Sequence, residues 1–323
     1  MVIIREQYLK KRDRKRSFPF RFKVPEGIGE IQIKFKYYPR TLKSYLKNYR
    51  LIRKALEEYR GEHEMKGPGI ISLFKQTYPL RNLLTLSMYD AKGDFVGSAH
   101  RHYRGSCECI TISRNYSSPG FVPCKIIPGF WTIQVQAHAV VTEECRYRLE
   151  ISLIRKIEDV AGPSFIEKRP INSPGDRNIR AWYAGELHVH SRHSDGRNSL
   201  SEIIEAAKKE GMDFLALTDH NTVSGFTSIP NVENFVIIKG MEFTTYYGHA
   251  LGLGLNSFID WYHDDKMRNI NDIIDEVHQQ KALFVIAHPF AMGGPVCTGC
   301  TWRFPDVDYQ KVDLMEVWSE YWD

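Results

Sequence analysis

The residues that invite chemistry cluster late in the chain. The stretch Glu186-Leu187-His188-Val189-His190 places two imidazoles two residues apart. In an extended segment such residues face the same way, so His188 and His190 are spaced to chelate one ion. More metal-binding side chains follow in Ser191-Arg192-His193-Ser194-Asp195-Gly196, Leu217-Thr218-Asp219-His220-Asn221, Gly240-Met241-Glu242, Gly248-His249-Ala250 and Ala287-His288-Pro289. Imidazole and carboxylate together suit zinc, manganese or iron. Two or three such ions side by side can clamp a phosphate and generate hydroxide near neutral pH. Glu242 is suited to bridging two of them. A single histidine at a strand end is ordinary, and an HxH pair alone is a weak signal. Five of the twelve histidines at strand ends, with Asp and Glu at matching places, form a metal-site pattern. No G-x-S-x-G elbow and no Walker loop is present, so the chemistry needs no serine or cysteine nucleophile.

These groups need elements that bring them together. Residues 185–190, 214–217, 235–242, 250–255, 283–287 and 312–317 read as strands. Between them, Leu200, Ile203, Ile204 and Ala207 form one apolar helical face over 199–211, with a Ser199–Glu202 capping box and Gly211 past the end. Ile270, Ile273, Ile274 and Val277 mark a second helix. Strands alternating with helices predict a parallel sheet or barrel, with chemistry at the C-terminal strand ends.

The N-terminal half has a different rhythm. Phe18, Phe20 and Phe22, then Ile31, Ile33, Phe35 and Tyr37, alternate as strands do. Leu42, Tyr45, Leu46, Tyr49, Ile52 and Leu56 recur at helical spacing. Residues 83–97 read as a hairpin, and 110–112, 130–135, 137–142 and 147–154 as further strands, which suggests a β-sandwich. The expected division is a β-rich sandwich over 1–160 with a helical insertion near 41–60, a linker over 161–184 marked by Gly162, Pro163, Pro170, Pro174 and Gly175, and a metal-binding α/β domain over 185–323.

With 42% hydrophobic and 26% charged residues, the 323-residue chain has the composition of a soluble globular protein. A net charge of +5 is too mild to argue for nucleic acid. The basic run Lys10, Lys11, Arg12, Arg14, Lys15 and Arg16 reads as a solvated, frayed terminus. No signal peptide and no apolar run of about 20 residues is visible, so a cytoplasmic protein that does not enter membranes is expected. The six cysteines are then expected to be reduced. Cys297 and Cys300 have CxxC spacing, but Cys107 and Cys109 make a poor second pair for a structural zinc. The segment around Cys297 reads as a loop packed by small residues and Trp302. Neither oligomeric state nor the role of the N-terminal half can be read from these patterns.

The motifs HVHSRHSDG, TDHN, GME, GHALGLG and AHPF, in that order, resemble those of the PHP (polymerase and histidinol phosphatase) superfamily over residues 185–318. The β-rich first half, GHALGLG and the later Glu316-Val317-Trp318 look like its carbaryl-hydrolase-like (CehA/McbA) branch. The resemblance implies a distorted β/α barrel holding two to three divalent ions. It implies a metallohydrolase acting on a small-molecule ester, with a metal-bridging hydroxide as nucleophile. Phosphoesters are favoured, with carbamate or carboxylic esters, or a catalytically silent binding protein, as alternatives. Polymerase-attached members exist, but no basic groove points to nucleic acid here. Carried over by motif, His188 and His190 would bind the first metal, Asp195 and His220 the second, and His249 and His288 the third, with Glu242 bridging. Asp195, His220 and Glu242 would thus carry the catalytic role. Asp219 would support the His220 loop. Arg192 and Arg197 would contact a phosphate, and His193 would be a loop or substrate contact. The family pattern goes on to a late Asp-x-His pair that is absent before Trp322-Asp323, which predicts a barrel incomplete at its C-terminus.

Overall fold

The computed structural model describes residues 1–62, 69–100, 109–155, 182–263, 266–297 and 300–317. The expected linker lies outside these residues as far as position 181, as do Cys107 and Trp318. The first half comprises β1 (Val2–Lys10), β2 (Arg16–Val24), β3 (Ile28–Tyr38), α1 (Tyr45–Glu62), α2 (Ile70–Thr77), β4 (Leu83–Tyr89), β5 (Phe95–Ala99), β6 (Ile110–Ser113), β7 (Gly129–Ala139) and β8 (Glu144–Arg155). They form two four-stranded antiparallel sheets, β1-β8-β3-β6 and β2-β7-β4-β5. Strand alternation sends Leu9, Ile31, Ile33, Tyr147, Leu149 and Ile151 of one sheet into a single core with Phe22, Leu86, Met88, Trp131, Ile133 and Val135 of the other.

Three features depart from the sequence reading. The N-terminus is not frayed: β1 pairs with β8 across all nine of its residues, and the basic run forms the turn from β1 into β2. As an edge strand β1 buries only Leu9, so main-chain bonding holds it where side-chain periodicity gives no signal. Segments 130–135 and 137–142 are largely one continuous strand, β7. Helix α2, with Leu73 and Phe74 buried, has no counterpart in the sequence reading.

The second half contains β9 (Gly185–Val189), α3 (Leu200–Lys209), β10 (Phe214–Leu217), β11 (Val236–Thr244), β12 (His249–Leu253), β13 (Tyr262–His263), β14 (Lys266–Met267), α4 (Ile270–Gln279), β15 (Leu283–Ala287) and β16 (Leu314–Met315). Its main sheet runs β16-β15-β12-β11-β10-β9. The Ser199–Glu202 capping box opens α3, and Gly211, past its end, takes the left-handed φ of +76°.

A fully parallel sheet was expected, but β12 runs antiparallel between β11 and β15. The cause is the short Thr245–Gly248 turn: reversal needs only a few residues, whereas a parallel return needs a dozen or more. Thr245 Oγ1 donates to Gly248 O at 2.7 Å and closes that turn. The sheet is a curled half-barrel whose two edge strands, β9 and β16, approach at one corner, where His188 Nδ1 lies 2.6 Å from Glu316 Oε1.

The two halves pack closely. The Phe95 and Phe258 rings stack at 3.5 Å, and the Tyr89 hydroxyl donates to Asp260 Oδ2 at 2.7 Å. Gly120 N donates to Ser224 Oγ at 3.1 Å, and Thr222 Oγ1 donates to Gly120 O at 2.9 Å. A Cβ on Gly120 would come within 2.3 Å of Ser98 O, so this approach requires glycine. Among the described residues, no helix is long and apolar enough to cross a membrane.

Asn82 braces the first half. It is 2% exposed, donates to Pro39 O and Thr142 Oγ1 at 2.7 Å each, and accepts from Val141 N at 2.7 Å. Asn82→Ala strands several buried polar groups and should lower stability by about 3 kcal/mol. Chemical denaturation measures this, and an unchanged midpoint would contradict the bracing role.

Candidate metal centre

Glu242 is the middle of the site. It sits on β11 with no exposed surface, and five imidazoles surround its carboxylate. Around Oε1 stand His249 Nδ1 at 2.8 Å and His288 Nε2 at 3.2 Å. Around Oε2 stand His220 Nδ1 at 2.7 Å, His190 Nε2 at 3.0 Å and His188 Nε2 at 3.3 Å. Asp195 lies beside this group, with Oδ1 2.8 Å from His190 Nδ1 and Oδ2 3.5 Å from His220 Nε2. All seven expected ligands therefore meet in one place.

The sheet topology explains how. His188 lies near the end of β9 and His190 follows it, His220 follows β10, Glu242 is near the end of β11, and His288 follows β15. Reversal of β12 puts its first residue, His249, at the same rim, opposite Thr244 and Ala287. The loops are held from behind. Asp219 accepts from Ser191 N, Ser191 Oγ and Ser194 Oγ at 2.8, 2.7 and 2.6 Å, which clamps the loop carrying Asp195 to the His220 loop. Asn221 takes φ +48°, a conformation asparagine tolerates, and exchanges two hydrogen bonds with the backbone of Thr244. The Thr244 hydroxyl also contacts His220 Nδ1.

The donors fit divalent ions. Nitrogen and carboxylate oxygen predominate, and the groups fall into adjoining sets with ligand atoms within 4.8 Å of one another: His188, His190 and Glu242; His190, Asp195 and His220; His188, His288 and Glu316. Among the described residues, His288 Nδ1 is a buried atom without a hydrogen-bond partner, and Glu242 Oε2, for all its imidazole neighbours, accepts no hydrogen bond of good angle. Buried polar atoms are ordinarily bonded, so these two are suited to a cation.

The electrostatics agree. Burial disfavours charge on Glu242, yet His220, His188 and His249 hold its carboxyl well below the usual range. Asp195 is likewise held low, against its burial, by His220 and His190. Burial opposes protonation of His188, but Glu242 and Glu316 prevail and raise it to about 9. Asp195 and Glu242 similarly raise His190 to about 10. For His249 burial wins, pushing it down to about 4.

The sequence reading missed several residues. Glu316 follows β16. Its Oε1 meets His188, and its Oε2 accepts from His288 N at 2.7 Å, so it ties the two edges of the sheet to the site. Its position in Glu316-Val317-Trp318 was the available signal. His100, from the end of β5, stacks on His220 with ring centroids 4.3 Å apart. Nothing in the sequence links residues so far apart. His193 is buried, with Nδ1 2.8 Å from Ser224 Oγ and Nε2 3.3 Å from Ser228 Oγ, and so braces its loop. Arg192 and Arg197 are exposed on that loop, and Arg192 bears electrostatically on Glu202. The cysteine expectation also changes. Cys297 and Cys300 stand side by side, with Cα atoms 5.8 Å apart, a separation that a disulfide can span.

The raised histidines set a pH dependence. Without metal, His188 and His190 carry protons at pH 7, and an incoming ion must displace them. Metal affinity should therefore rise with pH and level off only near pH 9–10. Calorimetric titration with Mn²⁺ between about pH 6 and 8, in buffers of different ionisation heat, should show proton release of about one or more per ion. Affinity indifferent to pH over that window would contradict the assignment.

Comparison with known proteins bears on the same segment. Over 150 residues the chain is 28% identical to an uncharacterized protein of Methanocaldococcus jannaschii, covering 42% of this chain and 81% of that one. It is 33% identical over 79 residues to a phosphoribosyl 1,2-cyclic phosphate 1,2-diphosphodiesterase of Eggerthella lenta, covering 22% of this chain and 30% of that protein's length. Among solved structures it is similar to a two-domain protein containing a predicted PHP-like metal-dependent phosphoesterase from Bacteroides vulgatus, with TM-score 0.25, 21% identity and coverage of 33% and 35% of the two chains. Residues 186–277, which hold His188, His190, Asp195, His220, Glu242 and His249, match the PHP domain family.

Proposed function

We propose that this chain is a metal-dependent phosphoesterase acting on a small molecule, through two or three divalent ions held by His188, His190, Asp195, His220, Glu242, His249 and His288. The observation that carries the reading is one fully buried carboxylate, Glu242, within 3.3 Å of five imidazoles. Such a cluster has little value as packing, because buried ionic groups generally cost more than apolar replacements. Manganese, zinc and iron all suit its donors. The match to the PHP family and the similarity to a cyclic phosphodiesterase support the choice of a phosphate ester.

When bound, divalent ions supply Lewis acidity and acidify water so that it can attack phosphorus at neutral pH. The protein's own part is positional. Glu242 fixes the spacing of the cluster from its centre. Asp195 and His220 close one side, where His190 faces both carboxylates. Glu316 orients His188 through Nδ1, leaving Nε2 turned toward Glu242, as carboxylates beside metal-binding imidazoles commonly do. Arg192 and Arg197, on the loop after β9, are proposed to meet phosphate oxygens. We read 1–160 as a sandwich domain and 185–323 as the metal-binding domain, with His100 marking where the first reaches the second.

Two measurements test this. Protein purified without added metal or chelator should hold one or more equivalents of manganese, zinc or iron by elemental analysis, and should hydrolyse bis(p-nitrophenyl) phosphate. His188→Ala should lose metal and reduce hydrolysis by about a hundredfold or more, the scale expected when a ligand that positions a catalytic ion is removed. If both metal content and hydrolysis survive that substitution, the reading is wrong.

A further inference from the structure

The basic turn between β1 and β2 has no part in the metal cluster, yet the fold gives it a definite place. It forms one wall of a cavity of about 300 Å³ bounded by the end of β7, by α1 and by the loop after β15. That volume suits a small ligand. The floor is buried and includes Ala55, Ala139, Val141 and Tyr246. The mouth is cationic: Lys11, Arg14, Lys15, Lys54 and Arg303 line it, against one carboxylate, Glu58. Lys54 pairs with Glu58 at 3.6 Å and Lys11 with Glu143 at 3.0 Å, both exposed and of little energetic weight. The positive excess remains large.

Two details suggest a built site rather than a solvated basic surface. First, Lys15 is held in place by strained backbone. It has φ +60°, rare for a side chain of this kind, and its N–H donates to Ala137 O at 2.7 Å. Its ammonium lies 4.5 Å from the centre of the Tyr247 ring, and partial desolvation together with the charges of Arg303 and Arg14 pushes its pKa down, although the residue as a whole stays exposed. Second, Tyr246 lines the cavity at 4% exposure, and its hydroxyl has no hydrogen-bond partner among the described residues. A buried hydroxyl left without a partner is costly. Burial also pushes its pKa well above the usual value, so it stays protonated and able to donate to an anion.

We propose that this cavity is a second binding site, taking the phosphate or diphosphate group of a small phosphorylated molecule, with Arg14, Lys15 and Arg303 gripping its oxygens and the Tyr246 hydroxyl donating from the floor. Guanidinium and ammonium groups converging on one opening suit phosphate oxygens. The cavity backs onto the metal centre. Tyr246 lies two residues beyond Thr244, whose hydroxyl contacts His220, and the Tyr246 ring packs against His138 at 5.2 Å, which in turn meets His100 at 5.7 Å. That adjacency links the site to the phosphoesterase reading, since the bound group can be a non-reacting phosphate of the substrate. Anion binding itself does not depend on that reading.

The test uses the whole chain stripped of metal by a chelator that is then removed, with inorganic pyrophosphate as the probe in calorimetric titration. Wild type and His188→Ala should bind it saturably and alike. Arg14→Glu combined with Lys15→Asn, the latter chosen because asparagine tolerates a positive φ, should weaken binding by about tenfold or more, equivalent to about 1.4 kcal/mol. Tyr246→Phe should weaken it with its ligand-free melting temperature unchanged. Saturable binding absent from wild type, binding reproduced by sodium chloride at equal ionic strength, or equal affinity in the Arg14/Lys15 variant would each overturn the proposal. Loss of metal content would instead count against the phosphoesterase reading, so the two failures are separable. With metal restored, competitive inhibition of bis(p-nitrophenyl) phosphate hydrolysis would identify the site with the substrate's own phosphate. Inhibition or activation without competition would identify it with a separate phosphate effector.

Discussion

Charge on Glu242 can be kept in the interior only because imidazoles surround it. A carboxylate removed from water is expensive, and its neighbours must offset that cost through geometry rather than solvent. The requirement reaches outward in steps. Five rings must arrive from three strand ends and one reversed strand, so the sheet must present those ends at one rim. The loops behind the rings must then be pinned, which Asp219 does for the segment before Asp195 and Asn221 does for the segment after His220. Glu316 extends the arrangement to the far edge of the sheet, where it touches both the ring of His188 and the backbone of His288.

The first half of the chain takes part in this arrangement. Its sheet β2-β7-β4-β5 turns a face carrying Thr85, Gln136 and His138 inward, and these buried groups hydrogen-bond one another: Thr85 Oγ1 donates to Gln136 Oε1 at 3.0 Å and lies 3.0 Å from His138 Nε2. Polar side chains on a buried sheet face need partners, and a connected network supplies them. The same face carries His100 to His220 and the Gly120 backbone to Ser224 and Thr222. Sheet β2-β7-β4-β5 therefore has an apolar core on one side and a polar junction with the Glu242 cluster on the other.

What could be read from the sequence follows from what local patterns encode. His188, His190, His220, Glu242, His249 and His288 were legible because residue type and strand-end position coincide at each. Helix α3 was legible to within a residue or two because Ser199, Glu202 and Gly211 punctuate it. The direction of β12 was not, since a strand's periodicity is the same either way, and only the brevity of the Thr245–Gly248 turn hints at reversal. Strand β1 escaped because an edge strand with one buried side chain has no hydrophobic rhythm. His100 and Tyr246 share another obstacle: their significance arises from contacts across many residues of chain, which composition and spacing do not record. The basic run was visible from the start, but its meaning depends on the left-handed backbone at Lys15 and on what packs opposite.

The reversal of β12 has a consequence for how this chain can vary. The strand ends that carry the five histidines and Glu242 lie on one rim, and connections such as those from α3 into β10 and from α4 into β15 lie on the other. Length and sequence there are insulated from the chemistry. By contrast, the four residues between β11 and β12 are fixed between Glu242 and His249, and they also carry Tyr246 into the neighbouring cavity. That hairpin joins the Glu242 cluster to the cavity: its length cannot drift without moving His249, so it has little freedom to change length, and an altered preference for ligands must be achieved there by substitution rather than by insertion.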